Sequence, residues 1–179
     1  MSREMLIEAI ARITRVFECP VTADIEAGYG NSIEEVLQTV KAVITTGAVG
    51  INIEDSLKQQ EKALVDIAYQ VELIKALHEL ATSMDVPFVI NARVDVFLLA
   101  IGEPESRFEH TVQRANEYLQ AGADCIYPIG ILDRTLIAEW SSGAITVRTC
   151  TAWCRTCESC WWADAFSARA CTNDRTRVT

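Results

Sequence analysis

Carboxylates and one arginine recur at the ends of short apolar segments in this 179-residue chain. Asp24 and Glu26 end the first segment, Glu54 and Asp55 the second, and Arg93 and Asp95 the third. If the segments are neighbouring strands, their end residues converge on one mouth with several carboxylates and a single guanidinium. Hard oxygen ligands of that kind suit Mg²⁺, which is held by one or two carboxylates together with water and substrate oxygens. The planar fork of Arg93 suits a substrate carboxylate or phosphonate. Taken singly, each acid reads as a solvated loop residue or a helix cap. Recurrence at three consecutive segment ends favours a site.

The elements that would position these residues alternate regularly. A helix over about 3–17 carries Leu6, Ile10, Ile13 and Phe17 at helical spacing, and Pro20 stops it. Val21 to Ile25 reads as a strand, Gly28-Tyr29-Gly30 as a turn, and Ser32 with Glu35 as a capping box opening a second helix. That helix places Ile33, Val36, Leu37, Val40 and Ile44 on one face and ends at Gly47. Val49 to Ile53 is a strand, Lys62 to Ser83 a long helix, Phe88 to Ala92 a strand, and Arg107 to Gln120 a helix. A fourth strand spans Cys125 to Ile129. The markers Asp24, Glu54, Arg93 and Tyr127 lie 30, 39 and 34 residues apart, one βα unit each. The alternation implies a parallel sheet covered by helices. A polar cluster after every strand favours a barrel over a doubly wound sheet, because a TIM barrel gathers its chemistry at the carboxyl ends of its strands. A barrel needs eight strands, and only four are legible.

The segments PVTADIEAGYG (20–30), GAVGINIEDS (47–56), FVINARVDVF (88–97) and AGADCIYPIG (121–130) resemble successive strands of the isocitrate lyase/phosphoenolpyruvate mutase superfamily in order, spacing and strand-end chemistry. The resemblance covers about residues 1–139. It implies an α/β fold, a partial TIM (β/α)8-type barrel of about four βα units. It also implies a Mg²⁺-dependent lyase or phosphonomutase acting on small 2-oxo or 2-hydroxy acids or phosphonates through an enolate-like species. By position, Asp24 matches the metal-ligating aspartate and Glu26 the second acidic position, more often aspartate. Glu54 matches the acid that holds metal-bound water, and Arg93 the substrate-binding arginine. The expected set is therefore Asp24, Glu26 and Glu54 for metal, with Arg93 and Glu54 in catalysis.

The chain departs from the family pattern in three places. The lyases carry a Lys-Lys-Cys-Gly-His type loop after the glutamate strand, whereas EDSLKQQEKALVD contains no Cys, Gly or His. Lys58 or Lys62 could supply a cation there, although helix surfaces carry such lysines routinely. The resemblance also implies two strands before Asp24, and further strands and helices after Ile129. An open half barrel is expected to expose two sheet edges and an apolar lining, making residues 1–139 aggregation-prone or partner-dependent.

Composition changes abruptly near Trp140. Residues 1–139 hold 11 Lys+Arg against 22 Asp+Glu, whereas 140–179 hold 5 Arg, no Lys and 3 acids. The same forty residues contain all four Trp, five of the seven Cys and no Leu. Cys150, Cys154 and Cys157 have the CxxxCxxC spacing of an iron–sulfur site, and Cys154, Cys157, Cys160 and Cys171 could form a zinc tetrad. The loss of every branched-aliphatic pattern fits better with an aberrant tail, frame-shifted or disordered. His78 and His110 are expected on helix surfaces, Cys125 as a small buried residue, and Asp124 as structural.

The net charge of −9 opposes a nucleic-acid partner. No apolar run approaches the roughly 18 residues of a membrane span. The acid-interrupted N-terminal helix reads as no secretory signal, which makes the cytoplasm the default. The expected partner is a small carboxylate or phosphonate, with a homo-oligomer possible once the barrel is complete. The chain itself is expected to be truncated and inactive. The alternatives are a non-catalytic fragment or pseudoenzyme acting by association, and a Cys-rich metal-binding module.

Overall fold

A computed structural model describes residues 1–57 and 62–144. The order is α1 (Arg3–Val16), β1 (Thr22–Asp24), α2 (Ile33–Thr45), β2 (Gly50–Glu54), α3 (Ile67–Ser83), β3 (Val89–Val94), α4 (Arg107–Ala121), β4 (Cys125–Pro128) and α5 (Arg134–Glu139). A short 3₁₀ turn at Pro104–Ser106 precedes α4, and a wider helical turn at Trp140–Ala144 follows α5.

The four strands form one parallel sheet in the order β1-β2-β3-β4. This order favours the barrel of the two architectures the sequence allows. A doubly wound sheet reverses its strand order at a switch point, and the four described strands show no reversal. Right-handed crossovers repeated in one direction put every helix on the same side, as in the wall of a β/α barrel. The fold is α/β, and the sheet is consistent with half of a TIM barrel.

Alternation along the strands separates the two faces. Ala23, Ile51, Ile53, Ile90, Ala92 and Val94 are buried beneath the helices. The other face carries Asp24, Asn52, Glu54, Asn91 and Arg93, because these residues occupy the intervening positions. The expected apolar lining is corrected in part: the uncovered face carries these polar residues together with Val89, Cys125 and Tyr127, while the isoleucines take the helix side. Helix α2 supplies Val36, Val40, Val43 and Ile44 to the core, and α3 supplies Leu73, Ile74 and Leu77.

Local chemistry explains most boundaries. Ser32 Oγ caps α2 by accepting from Glu35 N at 3.3 Å, as expected, but Glu35 Oε2 reaches back to Asn31 N at 2.6 Å, one residue before the cap, a variant of the expected capping box. Gly28 sits at φ +95°, and a Cβ there would lie 2.5 Å from Val36 Cγ1. The positive φ and the close packing against α2 thus account for this glycine. Helix α3 begins at Ile67 and not at Lys62, because Asp66 caps it through Ala68 N at 2.8 Å. Leu64 lies ahead of the helix in an antiparallel bridge to Ser56. In α1 only Leu6 and Ile10 are buried; Ile13 and Phe17 are exposed, so the apolar stripe is covered over its first half alone.

Trp140, the first residue past the expected boundary at 139, packs against the Ala115 and Leu119 cluster of α4. Lys58 and the five cysteines from Cys150 onward lie outside the described residues.

Candidate active site at the carboxyl ends of the strands

Three consecutive strands bring the expected residues to one edge of the polar face. Glu54 stands opposite Arg93 in the β2–β3 register, and Asp24 stands opposite Asn52 in β1–β2. Arg93 is the hub. Its Nε donates to Asp95 Oδ1 at 2.7 Å and its Nη2 to Asp95 Oδ2 at 2.9 Å. Nη2 also pairs with Glu54. Nη1 points towards Asp24 Oδ2, 4.0 Å away. Burial opposes the charge of Arg93, but the hydrogen bond and charge of Asp95, followed by the charges of Glu54 and Asp24, outweigh it and raise the pKa. The guanidinium is a permanent cation.

Asp24 is the most open of these carboxylates, with 58% of its side chain exposed against 9% for Glu54 and 1% for Asp95. Its Oδ1 accepts from Glu26 N at 2.9 Å, which fixes its rotamer as the chain leaves β1. Its Oδ2 accepts from Asn52 Nδ2 at 3.2 Å, and Asn52 Oδ1 accepts from Asn91 Nδ2 at 3.0 Å. Asp24, Asn52 and Asn91 thus form a polar row across three strands. Asn91 Oδ1 is buried without a hydrogen-bond partner among the described residues.

Glu26 accepts from the Tyr29 hydroxyl at 2.6 Å. That bond, burial and the charges of Glu26, Asp24 and Glu54 push the phenol up to about 12, so Tyr29 remains a donor. Glu26 and Tyr29 have φ of 52° and 56°, two left-handed non-glycine residues in one short loop. Such conformations cost energy and concentrate at functional sites. Glu54 also accepts from Ser56 Oγ at 2.7 Å.

The three acids expected to hold metal therefore gather at one edge but do not form a ready-made cage. Among the described residues no three His, Cys, Asp or Glu side chains are close enough to enclose an ion. Glu26 is turned to Tyr29 and Glu54 to Arg93 and Ser56. The donor set still fits Mg²⁺: all available donors are oxygens, Asp24 is open, and Mg²⁺ keeps several waters when one or two carboxylates hold it.

Asp55 requires a correction. Neighbouring residues at a strand end point to opposite sides, and Asp55 turns away from the mouth and is fully buried. Its Oδ1 accepts from Asp95 N at 2.9 Å, and its Oδ2 from Tyr118 Oη at 2.8 Å and Arg114 Nη1 at 3.1 Å. Burial pushes its carboxyl up; the bonds from Asp95 and Tyr118 and the charge of Arg114 act in the opposite sense. Sequence reasoning missed this network, and also Asn52 and Asn91. The asparagines had a signal, since each lies two residues before a recognised site residue on its strand.

The smaller expectations divide. His78 is exposed and Asp124 is structural, accepting from Ile90 N at 2.8 Å. His110 is half-buried and accepts from Arg114 Nε at 3.1 Å, so it is no simple surface residue. Cys125 is half-buried and lies beside Asn91 in register, on the polar face.

A parallel sheet with one helix-covered face, and an arginine held among carboxylates at the strand ends, define an α/β protein of barrel type. The phosphoenolpyruvate phosphomutase family profile matches residues 1–155, and the chain belongs to that family. The superfamily comprises Mg²⁺-dependent lyases and mutases. The chain is 33% identical over 138 residues to 2-methylisocitrate lyase of Escherichia coli K12, a match covering 74% of this chain and 44% of that enzyme. A candidate phosphonomutase from Burkholderia cenocepacia J2315 superposes with a TM-score of 0.76 at 34% identity, covering 82% of this chain and 60% of that one. Phosphonopyruvate hydrolase in complex with oxalate and Mg²⁺ superposes with a TM-score of 0.65 at 27% identity, covering 78% and 49%. The chain thus spans less than half the length of the curated relative. Among the described residues no helix is long and apolar enough to cross a membrane.

Proposed function

We propose that the polar mouth is the Mg²⁺- and carboxylate-binding part of an enzyme that breaks or forms the C–C or P–C bond beside a carboxylate in a small 2-oxo acid, 2-hydroxy acid or phosphonate. The observation that carries this reading is the placement of Arg93. Asp95 and Glu54 hold its Nε and Nη2, while Nη1 faces Asp24 across 4.0 Å at the ends of consecutive strands. A substrate carboxylate approaching Nη1 beside Asp24 would meet a donor whose orientation Asp95 and Glu54 fix.

Asp24 is the proposed direct metal ligand, Glu54 holds metal-bound water, and Glu26 is the second acidic position, oriented by Tyr29. Mg²⁺ supplies a Lewis acid for negative charge developing on a substrate oxygen. Asn52 fixes Asp24, and Glu54 and Asp95 prevent Arg93 from swinging away. Four strands are described where a closed barrel has eight. Binding is accordingly proposed for these residues and turnover for a complete barrel.

The test is calorimetric titration of oxalate with and without Mg²⁺. Mg²⁺-dependent binding that Asp24→Asn removes is the expected result. Binding indifferent to Mg²⁺, or no binding, sinks the reading and favours a non-catalytic member acting by association.

A further inference from the structure

We propose that Arg114 and Tyr118, on the covering helix α4, are positioning residues for the substrate arginine. They hold Asp55, Asp55 holds the backbone of Asp95, and the Asp95 side chain holds Arg93. The proposal rests on the reading of Arg93 as the carboxylate-binding group.

Each link is a short contact between buried groups. Tyr118 is fully buried, and its hydroxyl donates to Asp55 Oδ2 at 2.8 Å. Arg114 Nη1 lies 3.1 Å from the same oxygen and 2.8 Å from Tyr118 Oη. Arg114 Nη2 donates to Val65 O at 3.0 Å, and Val65 N donates to Asp55 O at 2.9 Å. One guanidinium therefore ties α4 to the end of β2 and to the segment leading into α3. The second oxygen of Asp55 accepts from Asp95 N at 2.9 Å, which places the Asp95 carboxylate under Arg93.

A buried ion pair is weak evidence for stability, because replacing it with apolar residues is often neutral. This one does something an apolar pair could not. Asp55 supplies an acceptor for a backbone N–H that lies beyond the end of β3, where no strand partner is available in the β2–β3 or β3–β4 register. Without it the Asp95 peptide is free to turn, and the fork on Arg93 turns with it. Supporting groups around binding residues commonly have this role, and loosening them weakens the site without touching the ligand.

Tyr118→Phe in the full chain removes one hydroxyl and leaves the ring in place. Water exchange of the Arg93 Nε proton, assigned by its loss in Arg93→Lys, reads the positioning without any ligand. The expected result is exchange about tenfold faster, the scale of losing one charge-assisted hydrogen bond, with amide protection of Ile51 and Ile90 unchanged. Unchanged Arg93 exchange overturns the proposal. Equal acceleration at Arg93, Ile51 and Ile90 also overturns it, because the network then serves the fold alone. Arg114→Lys, which keeps the charge but cannot span the same partners, is expected to act in the same direction, and it decides the question if Tyr118→Phe fails to fold. A parallel titration with oxalate and Mg²⁺ separates the two readings. Failure of the wild type to bind oxalate overturns the proposed function, while proton exchange still decides the positioning claim.

Discussion

Asp95 grips Arg93 at two points, Nε at 2.7 Å and Nη2 at 2.9 Å, although the two residues are only two apart in the chain. The fork leaves Nη1 as the edge that faces Asp24. A lysine at position 93 keeps the charge but has neither the fork nor a second donor edge. Arg93→Lys is expected to weaken Mg²⁺-dependent oxalate binding by about tenfold to a hundredfold, the range for losing one or two charge-assisted bonds. Calorimetry measures this directly. Wild-type affinity in the lysine variant would remove Arg93 from the binding role.

Asp24 is open, and the hydrogen bonds from Glu26 N and Asn52 hold its orientation. A ligand that binds only the folded state stabilises it by roughly 2.7 kcal/mol at a hundred times its dissociation constant. Saturating Mg²⁺ should therefore raise the melting temperature of the wild type. In Asp24→Asn that rise should vanish while the metal-free melting temperature stays close to wild type. A persistent Mg²⁺ effect would place the ion elsewhere.

Asn52 bridges Asp24 and Asn91. Asn52→Ala should lower Mg²⁺ affinity by roughly tenfold, as removal of an outer partner of a metal ligand commonly does. It should also cost about 1 kcal/mol of stability, because the part-buried Asn91 amide loses its acceptor. Urea unfolding and metal titration of the same preparation separate the two effects. A loss of stability with unchanged Mg²⁺ affinity would confine Asn52 to a structural role.

The candidate site residues are legible where local periodicity carries them. Asp24, Glu54 and Arg93 each follow an apolar run with period two, and the chain cannot pair those runs without bringing their ends together. Asp55 follows Glu54 directly, but adjacency in sequence is not adjacency in space, because successive strand residues face opposite sides. The Arg114 and Tyr118 contacts to Asp55 span 59 and 63 residues. No local pattern reports such a pairing, and on α4 these two residues have the same helical spacing as any polar pair. Leu64 fits the helical stripe, so periodicity alone starts α3 too early. The bridge to Ser56 and the cap at Asp66 prevail over that periodicity.

His110 gives the network a dependence on pH. Its Nε2 accepts from Arg114 Nε at 3.1 Å, which only the neutral ring can do. Burial and then the Arg114 charge lower its pKa from 6.5, and Asp55 offsets part of this. A histidine whose folded-state pKa is depressed contributes stability that is present above the unfolded value, and that contribution is lost as pH falls through the folded-state pKa. Wild-type stability should accordingly fall as pH drops below the ordinary histidine value. His110→Gln offers Arg114 an acceptor that does not titrate, so its urea midpoint should fall less over the same interval. Equal falls in the two proteins would show that protonation of His110 is not coupled to folding, and the drop would then have to come from carboxylates elsewhere in the chain.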